Sequence, residues 1–108
     1  MGSYRDKLDI VADILKVAIG NPRKTEIMYQ ANLSFRLLQK YLAEISNALL
    51  ISFNDETKSY ALTSKGEMFL EAYNQYSKSN KHAEKIIDEV NSKRAALEKL
   101  FTQNMQMP

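Results

Sequence analysis

The chain has 108 residues, 44% hydrophobic and 26% charged, which suits a soluble domain with a modest core and an appended element. Its net charge is +2, with eight Lys/Arg against seven Asp/Glu in residues 1–62 and seven against six in 63–108, so no global positive field is available to hold a nucleic acid. Cysteine is absent, no apolar run is long enough for a membrane span, and the opening Met-Gly-Ser-Tyr-Arg-Asp lacks a signal-peptide core, so disulfide and thiolate chemistry are excluded and a cytoplasmic protein is expected.

In chain order, Leu8, Val11, Ile14, Leu15 and Ala18 recur at helical spacing, which predicts a first helix over Tyr4–Ile19. Gly20-Asn21-Pro22 should end it by a permissive backbone, a turn former and a missing amide donor. Thr25 is an expected N-cap for a short helix from Glu26 to Ala31, with Glu26 at its positive end. Asn32 is the expected stop, since Asn tolerates the left-handed conformation, and Leu33 should tuck into the core. Ser34 then caps a third helix whose apolar stripe is Phe35, Leu38, Leu42, Ile45 and Leu49. Two helices joined by so tight a turn make a helix-turn-helix.

The period changes next. Leu50–Phe53 and Ser59–Leu62 flank the turn-forming Asn54-Asp55-Glu56-Thr57-Lys58, which predicts a β-hairpin and hence the order of a winged-helix domain. Thr63 or Ser64 should cap a last helix, with Ser64-x-x-Glu67 matching a capping box. No proline or glycine follows Gly66 until past Gln103. Phe69, Tyr73, Tyr76, Asn80, Ala83, Ile87, Val90, Arg94, Leu97 and Phe101 form a heptad seam, widened by Ile86 and Leu100. The stretch Asn74–His82 is a poor helix former and leaves room for a kink or fraying near 77–82. A helix of about 40 residues would span about 60 Å, too far for its distal half to cover its stripe against residues 1–62. The seam therefore predicts a homodimer through Tyr76, Asn80, Ala83, Ile87, Val90, Arg94, Leu97 and Phe101. Asn80 and Arg94 would select one register at some cost in stability.

The segments Lys24–Leu42 and Tyr60–Tyr73 together resemble the small archaeal winged-helix DNA-binding proteins, including the dimeric chromatin-associated type with an antiparallel coiled-coil last helix. That resemblance implies a mainly α fold with a small β-hairpin. It also implies a DNA-binding domain over residues 1–72 and a dimerisation helix over 73–108, continuous with the domain's last helix. It further implies a transcriptional regulator or chromatin-associated protein with duplex DNA as its partner. On the third helix, Arg36, Gln39 and Lys40 lie away from the core stripe, near the end that meets base edges, and Ser34 with the free amides suits a phosphate. Arg23 and Lys24 before the second helix, and Lys58 in the wing, are further candidates for phosphate contact.

Two departures from the family pattern bear on this. Leu49 stands where a glycine usually ends the recognition helix, so a different ending is expected, and Asp55 with Glu56 makes the wing tip acidic. The competing reading is a protein-interaction module in which winged helix and long helix act as an adaptor. Catalysis is not expected. His82 is the only histidine, the three glycines are scattered at 2, 20 and 66, and no metal, cofactor or small-molecule site is implied.

Overall fold

The computed structural model describes residues 4–105, with side chains to Thr102; Gly2 and Ser3 of the opening and the end of the 73–108 segment lie outside the described residues. The elements are α1 (Lys7–Ala18), α2 (Lys24–Gln30), α3 (Phe35–Asn47), β1 (Ile51–Asn54), β2 (Ser59–Leu62) and α4 (Ser64–Met105). The architecture is mainly helical with a two-stranded antiparallel hairpin, a winged-helix domain followed by a long helix. The chain divides into two compact units, one running to Asn74 and the other starting at Gln75.

Helix α1 begins later than its apolar spacing suggests, because Asp6 caps it. The Asp6 carboxylate accepts from the Asp9 amide at 3.0 Å, and the Asp9 carboxylate accepts from the Asp6 amide at 3.1 Å. At the other end Asn21, not Gly20, takes the left-handed conformation, with φ 53°. The cap of α2 also differs. Arg23, not Thr25, holds the N-cap position, and its amide is bound by the Glu26 carboxylate at 2.8 Å.

Both α2 and α3 close with the same pair of hydrogen bonds. In α2, Asn32 (φ 54°) donates to Tyr29 and Leu33 to Met28; in α3, Leu49 (φ 63°) donates to Ser46 and Leu50 to Ile45. Helix α3 thus ends in the left-handed turn that its leucine argued against. Three contacts from the start of α4 hold that turn. The Thr63 hydroxyl donates to the Leu49 carbonyl at 2.7 Å, the Lys65 ammonium donates to the Ala48 carbonyl at 2.7 Å, and the Thr63 amide donates to the Leu50 carbonyl at 3.2 Å. The same hydroxyl accepts from the Gly66 amide at 3.0 Å, so Thr63 is the cap of α4 and Ser64 lies inside the first turn.

The core is wholly apolar among the described residues, built around Ile14, Leu15, Ile27, Leu38 and Ile45. Truncating any of these to alanine would cost about 2–5 kcal/mol. On α3, Leu38, Leu42 and Ile45 are buried as their spacing predicts, and Tyr41 (7% exposed) joins them. Phe35 (57%) and Leu49 (67%) do not. The hairpin pairs Ile51 with Leu62 and Phe53 with Tyr60 on one face. Its second strand is tied to the α1–α2 loop, where the Tyr60 amide donates to the Pro22 carbonyl at 2.9 Å and Arg23 bridges to Ser59. Helix α4 is unbroken through residues 77–82, and every residue from Lys78 to Thr102 is exposed.

Candidate nucleic-acid interface

Helix α3 is placed by its buried face, so what it offers outward follows from the period of 3.6. Arg36, Lys40, Ala43 and Asn47 fall on one stripe opposite the core, with Gln39 beside it, and all five are exposed. The small Ala43 in mid-stripe was not singled out from the sequence; it leaves room for close approach of whatever the helix meets. Ser34 caps the helix, its hydroxyl accepting from the Leu37 amide at 3.2 Å, which leaves other first-turn amides to a ligand. Glu44 is not simply solvated, as its place on the wheel suggests. It pairs with Lys7 of α1 at 3.0 Å.

The start of α2 joins this helix to the hairpin. The Lys24 ammonium lies 4.9 Å from the centre of the Phe35 ring, so the first residues of α2 and α3 meet. Arg23, exposed at the cap of α2, bridges to Ser59 on the other side. Arg23, Lys24, Ser34, Arg36, Gln39 and Lys40 therefore belong to two adjoining helix starts.

Lys58 does not join them as a free cation. It closes the hairpin turn at φ 56°, and its ammonium pairs with Asp55 at 2.9 Å. Asn54 braces the same turn by accepting from the amides of Glu56 at 2.9 Å and Thr57 at 3.2 Å. The wing tip is thus a hydrogen-bonded acidic turn whose lysine pairs with one of its own carboxylates. Of the two tyrosines on α2 and α3, Tyr41 is a core residue and Tyr29 is 78% exposed.

Two positioning contacts had no sequence signal. The Arg5 guanidinium donates to the carbonyls of Ala31 at 2.6 Å and Asn32 at 2.8 Å, while pairing with Asp13 at 3.0 Å. It thereby satisfies the C-terminal end of α2 at the turn that sets the direction of α3. The Tyr73 hydroxyl donates to the Asp9 carboxylate, fastening α4 to α1. That bond lowers the Asp9 pKa below 3.8 and pushes Tyr73 up to about 12.

The seam residues Tyr76, Asn80, Ala83, Ile87, Val90, Arg94, Leu97 and Phe101 all lie on α4 in the unit that starts at Gln75, and all are exposed within the single chain. Arg94 pairs with Glu98 at 3.6 Å along the same helix. No helix among the described residues is long and apolar enough to cross a membrane.

The profile of the winged helix-turn-helix family matches residues 4–81. A Methanocaldococcus jannaschii protein, the uncharacterised MJ0290, is 41% identical over 69 residues, covering 62% of this chain and 31% of that protein. The chain thus spans about a third of that relative's length. Among solved structures, the DNA-binding protein Sso10a-2 of Sulfolobus solfataricus superposes with a TM-score of 0.76 over 82% of this chain and 95% of its own. At 21% identity that likeness is one of fold. Both relatives are archaeal, as the resemblance in the helix-turn-helix and Tyr60–Gly66 motifs implies.

Proposed function

This chain belongs to the winged helix-turn-helix family, and from that premise we propose that it is a homodimer that binds duplex DNA through α3, as a transcriptional regulator or chromatin-associated protein. The observation that carries the reading is the exposed stripe of Arg36 and Lys40, flanked by Gln39, on a helix whose opposite face is locked in the core. Arg and Gln in the first turns are suited to fork onto guanine and adenine edges. Arg23, Lys24 and Ser34 then hold phosphates from the two helix starts. The wing is the weaker contributor, because Asp55 and Glu56 make its tip acidic and Lys58 pairs with Asp55. That acidic tip, with the near-neutral net charge of +2, favours the adaptor reading instead.

Dimerisation is assigned to the exposed apolar residues of the distal helix, Ile87, Val90, Leu97 and Phe101 with Ile86 and Leu100 beside them. Burying one such side chain is worth roughly 1.5–3 kcal/mol, enough in a symmetric pair of seams to offset the cost of association. The antiparallel orientation rests on the family resemblance, and so does the division into a DNA-binding part, 1–72, and a dimerisation part, 73–108.

The test is the salt dependence of binding, followed by fluorescence anisotropy on a labelled duplex. About four phosphates neutralised per protomer gives a log–log slope near −7 for the dimer. Replacing Arg36 and Lys40 together with alanine should abolish binding while leaving the circular dichroism unchanged. A slope near zero for the unaltered protein would rule out the DNA reading and favour the adaptor.

A further inference from the structure

Phe35 should have been a core residue by its spacing, yet it stands at the surface as the first residue of α3. Single exposed apolar residues are common on protein surfaces and need no explanation by themselves. The setting of this one is particular. Lys24 lies over the ring, Arg36 follows it in sequence, and Gln39 is one helical turn further along the same side. The ring is thus an apolar plate within a cationic, hydrogen-bonding surface. Water covers it only when nothing else does.

We propose that Phe35 is a specificity residue that contacts the 5-methyl group of thymine, so that α3 favours A·T-containing sites. The assignment rests on the reading of α3 as a DNA-recognition helix. Of the major-groove edges, thymine alone presents an apolar group, and phenylalanine is among the side chains that meet it. Gln39 is suited to adenine. Residues 35 and 39 are separated by about 6 Å of helix rise, within reach of neighbouring or next-neighbouring base pairs spaced about 3.4 Å apart. Lys24 lies against the ring and would bring a cation toward the adjacent backbone. No other large apolar side chain shares the Phe35–Gln39 side of the helix while remaining exposed near its N-terminal end; Leu37 points to the opposite flank.

The experiment compares binding to a short alternating dA·dT duplex with binding to the same duplex carrying deoxyuridine for every thymidine, which removes only the methyl groups. The unaltered chain should bind the uracil duplex about three- to fivefold more weakly for each methyl contacted. Phe35→Ala should bind the thymine duplex with that same loss and then show no further change on uracil. Phe35→Leu, which keeps an apolar side chain, should retain most of the preference for thymine. An equal uracil penalty in the unaltered protein and Phe35→Ala would overturn the assignment, because DNA shape would then be the cause. So would salt-dependent binding with no penalty at all, which leaves the DNA reading standing. Absence of salt-dependent binding to either duplex removes the DNA reading itself and Phe35's role with it.

Discussion

Gly66→Ala sets two effects against each other, and the structure decides between them. Gly66 lies in the first turn of α4 with a backbone any residue can adopt, since no described glycine has positive φ. Helix propensity alone therefore predicts a gain of up to about 1 kcal/mol on replacing it with alanine. Space says otherwise. An added Cβ would lie 2.2 Å from the Leu50 carbonyl oxygen and 2.6 Å from Leu62 Cδ1. The leucine methyl can rotate, but the carbonyl is held by the Thr63 amide and sits beside the strained turn at Leu49. Overpacking of this kind costs about 1–3 kcal/mol, and disturbing the Thr63 bond adds about 1 kcal/mol. The net expectation is a loss of about 1–3 kcal/mol. For a domain of this size that is a fall in Tm of about 5–15 °C. Thermal and urea unfolding should be compared at one fixed protomer concentration, because the proposed dimerisation would make Tm concentration-dependent. A Tm unchanged or raised in Gly66→Ala would mean the junction between α3 and α4 is looser than the geometry shows.

Three further outcomes can be checked directly. Replacing Asp55 and Glu56 with lysine removes the partner of Lys58 as well as two negative charges, so non-specific DNA binding should tighten and the salt slope steepen by about 1–2 per protomer; weaker binding would mean that the acidic tip makes a contact of its own. Val90→Asp with Leu97→Asp should yield a monomer in sedimentation and weaken DNA binding by at least about tenfold through lost bivalency, and a variant still dimeric at micromolar concentration would place the interface elsewhere. The Tyr73–Asp9 bond should make a pH-dependent contribution visible as the stability difference between the unaltered protein and Tyr73→Phe. Because Asp9 is depressed below 3.8, its share is present above that pH and lost as pH falls through the lowered value. Because Tyr73 is raised from 10.0 to about 12, the bond's share is full below pH 10 and lost as pH rises toward 12. Urea midpoints for the two proteins should therefore differ by a constant amount between those limits and converge at both ends; a difference that does not vary with pH would count against the bond.

Element order was legible in the sequence because each boundary rested on local chemistry: Asn21-Pro22, Asn32, Ser34 and the Asn54–Lys58 turn act over a few residues. Spacing also identified the buried part of α3, since Leu38, Leu42 and Ile45 repeat over three turns. The same spacing failed at both ends of that helix. Phe35 and Leu49 satisfy the period, but Phe35 opens the helix at the surface with the Lys24 side chain against its ring, and Leu49 lies past the end of the helix in a left-handed turn, where the period no longer sets which way a side chain faces. The left-handed Leu49 was not legible either, because its local cost is offset by Thr63 and Lys65, which come from another element. Arg5 and Lys58 show the same limit. A cation in the sequence reads as available charge, and only the fold reveals that one grips helix carbonyls and the other a neighbouring carboxylate. The stripe of Arg36, Gln39 and Lys40 was readable because it is the complement of the core.

The Arg5 clamp makes the turn between α2 and α3 answerable to a distant part of the chain. A seven-residue helix is too short to hold itself closed in water, and the guanidinium reaches across 26 positions of sequence to grip its last carbonyl groups. Amide protons of Asn32 and Leu33 can therefore exchange with solvent either when the turn frays in place or when the N-terminal arm lets go. If the arm governs, their exchange should rise and fall with that of the first turn of α1, and α3 would gain its freedom to reorient from residues on another element.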